Sequence, residues 1–84
     1  MPRSNAKPPS KEKAQVAFGV ALRARREERK LTQENLAELA DLHTNYVSSV
    51  ERGERNIGLY NITRLAYALQ IPVSSLMACL DPGQ

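Results

Sequence analysis

Residues 32 to 53 read Thr-Gln-Glu-Asn-Leu-Ala-Glu-Leu-Ala-Asp-Leu-His-Thr-Asn-Tyr-Val-Ser-Ser-Val-Glu-Arg-Gly, two short helical patterns with only Asp41 and Leu42 between them. So few residues leave room for nothing but a tight turn, so the second helix must fold back across the first. In the first pattern Leu36, Leu39 and Ala40 fall at i, i+3 and i+4, which predicts one apolar face, and Ala37 is small enough for a close approach. Val47 and Val50 give the second helix its own buried stripe. Thr32 is placed to cap the first helix by accepting a hydrogen bond from a free backbone N–H, and Gly53 to end the second in the left-handed conformation.

This is a helix-turn-helix pattern, which lets one helix brace against the DNA backbone while the next enters the major groove, about 12 Å wide. Thr44, Asn45, Tyr46, Ser48 and Ser49 are what the second helix has left after its valines, and they are the candidate base readers. Tyr46 has two readings open, contact with DNA or packing against helix one. Gln33 sits in the first turn of its helix, where exposed N–H groups and a long amide favour a phosphate. Arg52, Arg55 and Asn56 follow the second helix and are the other candidate phosphate contacts. No Arg or Lys occupies the exposed positions of the reading helix itself, although arginine on guanine is the commonest specific contact; Asn45 suits adenine.

The register of Phe18-Gly19, Leu22, Arg26, Leu31-Thr32-Gln33, Leu36-Ala37, Ala40, Val47-Ser48, Glu51-Arg52-Gly53 and Leu65-Ala66-x-Ala68-Leu69 resembles the Cro/repressor (XRE-like) family over residues 18 to 76. Within it, Ala40-Asp41-Leu42-His43, Tyr46 and Glu51-Arg52-Gly53-Glu54-Arg55-Asn56-Ile57 are similar to the controller proteins of restriction-modification systems. The resemblance implies an all-α, lambda-repressor-like bundle of five helices. It also implies an ion pair between Arg26 and Glu51, a homodimer on a two-fold related operator and contact with RNA polymerase, while a single cysteine and a start without an apolar run fit a cytoplasmic location. Two positions depart from the family. Its turn glycine is Asp41 here, whose short polar side chain tolerates the left-handed region. Its capping Ser or Thr is His43, which leaves Thr44 either as the cap of a helix that starts one residue later or as a base reader.

Charge is unevenly spread. The net charge of the 84-residue chain is +3, and all of it resides in residues 1 to 13, where Arg3, Lys7, Lys11 and Lys13 face Glu12 alone. Any DNA binding by the neutral body therefore depends on placement, with Arg23, Arg25, Arg26, Arg29 and Lys30 forming one cluster and Arg52 and Arg55 another. Residues 1 to 12, with three prolines, read as a disordered basic arm, 13 to 81 as the DNA-binding domain and 82 to 84 as a tail. Helices are expected at about 12–30, 33–40, 44–52, 59–69 and from Pro72 onward, with Pro72 in the first turn. Ile57, Leu59, Tyr60, Tyr67, Met77 and Leu80 exceed what a small core needs, and either a dimer interface or the core takes them up.

Other chemistries find little footing. His43, the only histidine, has no evident convergent partners for catalysis or metal binding, and Cys79 reads as a small core or interface residue. No CxxC, HExxH or glycine-rich phosphate loop is present, so neither an enzyme, a cofactor nor a metal is expected. No segment reaches the roughly 20 apolar residues of a membrane span. The alternative function is a protein-interaction module, such as an antitoxin, that uses the same helical body.

Overall fold

The computed structural model describes residues 7–82. Five helices follow in order: α1 Lys11–Glu28, α2 Gln33–Ala40, α3 Thr44–Glu51, α4 Leu59–Leu69 and α5 Val73–Met77, closed by a 3-10 turn at Ala78–Leu80. Helix α1 spans one side and lies against α3 and α5, while α2 packs on α3 and α4. Phe18 and Leu22 from α1, Leu36 from α2, Val47 and Val50 from α3, Ile62, Leu65 and Leu69 from α4 and Leu76 from α5 meet in one core.

Helix α1 starts one residue before the expected position 12 and ends at Glu28. Ser10 Oγ accepts from the Lys13 N–H at 3.2 Å, so Lys11 and Glu12, assigned to the arm from sequence, are helical. The rest of that arm splits: residues 1–6 lie outside the described residues, as do 83 and 84 of the tail, and residues 7–10 carry no regular structure. Thr32 caps α2 as expected, with Asn35 answering it reciprocally: Thr32 Oγ1 accepts from Asn35 N at 3.0 Å and Asn35 Oδ1 accepts from Thr32 N at 3.3 Å. Pro72 is the cap of α5 rather than its first residue, one position from expectation.

Helices α1 to α4 share one ending. A left-handed residue follows each helix, Lys30 (φ 58°), Asp41 (φ 57°), Gly53 (φ 77°) and Gln70 (φ 59°), and the next N–H returns to a carbonyl one turn and a half back. Asp41 and Gly53 were expected there. Lys30 and Gln70 carry a Cβ cost that the following side chains offset, because Leu31 and Ile71 each fold onto the core at the position where this motif requires an apolar contact.

Leu39 departs from the sequence reading. The inner face of α2 is Leu36, Ala37 and Ala40, and Leu39 is 61% exposed. At about 100° per residue Leu36, Ala40 and Ala37 span an arc with Ala40 at its centre, and Leu39 falls beyond the Leu36 edge of it, roughly 100° from Ala40.

Candidate nucleic-acid interface

Helix α3 is held by a polar network on its inner side. The Glu51 carboxylate accepts from Arg26 Nε at 2.7 Å, Arg26 Nη2 at 3.0 Å and Gln33 Nε2 at 2.9 Å, and Arg26 Nη1 donates to the Leu31 carbonyl at 2.8 Å. Side-chain exposure is 12% for Arg26 and 3% for Glu51, so the expected ion pair is present and buried. Its hydrogen bonds to Glu51 raise the Arg26 guanidinium above its ordinary value, against the opposing effect of burial. The network joins α1, the start of α2 and the end of α3.

Gly19 supplies the close approach behind it. A Cβ at this position would lie 2.5 Å from both the Val50 and Glu51 carbonyl oxygens, so α1 and α3 meet backbone to side only because the residue is glycine. Sequence reasoning registered Gly19 as part of a family pattern and missed its role; a glycine inside an otherwise regular helix was the available signal. Gly53 is constrained twice, by its positive φ and by Val16, whose Cγ2 would stand 2.7 Å from an added Cβ.

His43 is the N-cap of α3, its Nδ1 accepting from Asn45 N at 3.1 Å. Thr44 is therefore not the cap but the first helical residue. At about 100° per residue, Thr44, Asn45, Ser48 and Arg52 share the outward side of α3. Thr44 and Asn45 have no side-chain hydrogen-bond partner among the described residues, and Ser48 Oγ accepts from Arg52 Nη1.

Two expected readers turn away from this face. Ser49 is only 6% exposed, donating from Oγ to the Tyr46 carbonyl at 2.8 Å and accepting from Arg55 Nε at 3.1 Å. It lies beside Val50 on the turn that faces the body, and its hydroxyl is consumed in fixing the loop. Tyr46 is half-buried; Asn61 Nδ2 donates to its hydroxyl at 3.2 Å and the Arg55 guanidinium lies 5.6 Å from its ring centroid. Its packing partner is α4 and the loop, rather than helix one.

The candidate clamps also divide. Gln33 is half-buried with its amide oriented by Glu51, Arg55 is exposed with only Nε engaged among the described residues, and Asn56 is exposed in the loop. Arg52 folds back over Ser48 and pairs with Glu54, which places its guanidinium on the outward side of α3.

The six candidate dimer residues form two groups. Leu59, Tyr60 and Tyr67 are exposed along α4, where Arg64 stacks 4.8 Å from the Tyr60 ring centroid and donates to the Asp41 carbonyl at 3.0 Å. Ile57 and Met77 pack on the core and, with Leu80, line a shallow groove of about 210 Å3 against Phe18 and Ile62. Cys79 is exposed rather than in the core; partial desolvation pushes its thiol up, and Sγ donates to the Leu76 carbonyl. Among the described residues no group of three or more His, Cys, Asp or Glu converges, and no helix is long and apolar enough to cross a membrane.

The helix-turn-helix family profile matches residues 22–76, which contain α2, α3 and the network behind them. The chain belongs to the helix-turn-helix family. Its relatives include control protein C.MunI of a Mycoplasma species, 36% identical over 67 residues that cover 79% of this chain and 90% of that one. Control protein C.SmaI of Serratia marcescens is 49% identical over 56% of each chain. The crystal structure of the restriction-modification controller protein C.AhdI from Aeromonas hydrophila superposes with a TM-score of 0.73 at 48% identity, over 74% of this chain and 94% of that one. The all-α fold and the controller resemblance read from sequence both hold.

Proposed function

We propose that this member of the helix-turn-helix family is a sequence-specific DNA-binding regulator of transcription, of the restriction-modification controller kind, that acts as a homodimer on a two-fold related operator. The observation that carries the reading is the outward side of α3. Thr44 and Asn45 stand there without internal partners, on a helix fixed from behind by Glu51, Arg26 and Gly19. An α-helix with its side chains is about 10–12 Å across, which matches the major groove. Thr44, Asn45 and Ser48 then address base edges, with Asn45 suited to adenine.

Gln33, Arg55 and Asn56 address phosphates. Gln33 is aimed by Glu51 from the first turn of α2, where the unpaired N–H groups of a helix start also favour an anion. Leu59, Tyr60 and Tyr67 supply the apolar surface for a second copy, which sets two recognition helices about 34 Å apart, one turn of DNA. The similarity to control protein C.MunI and to the restriction-modification controller protein C.AhdI supports the same assignment. Any contact with RNA polymerase would follow from an operator placed beside a promoter.

Selection from a pool of random duplexes, followed by fluorescence anisotropy and sedimentation, tests the proposal. An enriched two-fold symmetric site bound by two copies is expected. Recovery of no preferred sequence, or a monomer at micromolar concentration with and without the duplex, contradicts it.

A further inference from the structure

The reading face lacks a basic residue in the sequence of α3, yet the structure supplies one from just beyond its end. Arg52 is the C-cap of α3 and shares the outward side with Ser48, one turn earlier. Its guanidinium bends back toward the helix start: Nη1 donates to Ser48 Oγ, while Nε and Nη2 donate to the two oxygens of Glu54 at 3.0 and 3.1 Å. Three of its five N–H donors are therefore engaged, and two remain.

Glu54 is itself fixed by the backbone. Its N–H donates to the Ser49 carbonyl at 3.0 Å, closing the left-handed turn at Gly53, which only glycine satisfies because Val16 stands behind it. Glu54 thus lies three residues past the end of α3 and two past the Arg52 cap, where its carboxylate meets the Arg52 guanidinium. Hydrogen bonds from Arg52 keep it below the ordinary carboxylate range, so it stays ionised at neutral pH.

We propose that Glu54 is a specificity-determining positioning residue, holding Arg52 over Ser48 as a reader of a guanine edge and withholding its charge from the phosphate backbone. The inference rests on the DNA-binding reading above. The arginine fork matches the guanine O6 and N7 acceptors, and the two donors left free suit that edge without breaking the pair. A free arginine in this place would contact phosphate in any sequence and strengthen non-specific binding, which is electrostatic and salt-dependent. Pairing it with a carboxylate removes that sequence-independent attraction, while an exposed pair of this kind contributes little to folding. Specificity is a ratio of affinities, and Glu54 acts on its denominator.

The test starts from the duplex selected by the parent protein and a scrambled duplex of equal length, with affinities measured by anisotropy from 50 to 300 mM KCl. Glu54→Gln is expected to bind the scrambled duplex several-fold more tightly, to steepen its salt slope by about 0.9 per subunit, and to lower the specificity ratio. Glu54→Asp should restore part of the ratio, and all variants should melt close to the parent. Arg52→Ala should lose roughly tenfold or more discrimination at one symmetric pair of G·C positions, and Arg52→Lys should not recover it. An unchanged ratio and slope in Glu54→Gln, or a uniform loss across all bases in Arg52→Ala, overturns the inference. Failure of the parent to select any sequence would instead overturn the functional reading beneath it.

Discussion

Removing Glu51 should unlock the recognition helix from the rest of the domain. The Glu51 side chain is almost fully buried and accepts three hydrogen bonds, two from Arg26 and one from Gln33. In Glu51→Ala the Arg26 guanidinium keeps only the Leu31 carbonyl, and an uncompensated buried charge of this kind costs about 3–5 kcal/mol. Arg26 retains 12% exposure, so water reaches it in part and the lower end of that range applies, about 3 kcal/mol. A domain of this size is stable by roughly 4–13 kcal/mol, and each kcal/mol moves its Tm by roughly 4–8 °C, so the melting temperature should fall by about 12–24 °C. Circular dichroism melts together with urea titrations at constant protein concentration measure this directly. The double variant Arg26→Met, Glu51→Leu should recover much of the loss, since it removes both charges together. A Tm for Glu51→Ala within 3 °C of the parent, or a double variant worse than the sum of the singles, would refute the argument.

Gly19→Ala should cost at least the roughly 1–3 kcal/mol typical of overpacking, because the added methyl meets two backbone carbonyls that cannot rotate away; denaturant titration reads this, and a neutral result contradicts the close approach. Asp41→Gly should be neutral or slightly stabilising in the same assay, since φ at this position is 57°. His43→Ala should lower stability by about 0.5–2 kcal/mol through loss of the α3 cap, a shift absent if Thr44 were the cap instead. Tyr67→Arg should shift sedimentation from dimer to monomer and weaken operator binding while leaving the far-ultraviolet spectrum unchanged; a persistent dimer would move the interface elsewhere.

The pair of helices, their turn and their caps were legible because each is encoded locally: Thr32 before an apolar repeat, a residue tolerant of the left-handed region at Asp41, glycine at position 53. The turns at Lys30 and Gln70 were not. There the backbone conformation is imposed by the burial of Leu31 and Ile71, a tertiary demand that outweighs the preference of the residue in the turn. The site divided along the same line. Residue type marked all five polar positions on α3, but type alone does not separate Asn45, which faces outward, from Ser49, which locks Arg55 to the Tyr46 carbonyl. Periodicity measured from Val47 and Val50 narrows the choice, and the loop that returns after Gly53 decides it. Tyr46 followed a similar course, because the Asn61 partner that holds its hydroxyl lies fifteen residues away on α4.

The central claim is that α3 divides into an outward reading side and an inward structural side, with phosphate clamps apart from both. It is tested most directly by measuring affinity for every single-base variant of the selected duplex with the parent, Asn45→Ala and Gln33→Ala. Asn45→Ala should lose roughly 1–3 kcal/mol on the selected site and relax preference at one symmetric pair of positions, whereas Gln33→Ala should weaken all duplexes nearly alike. The same profile across the variant set for both proteins would contradict the account.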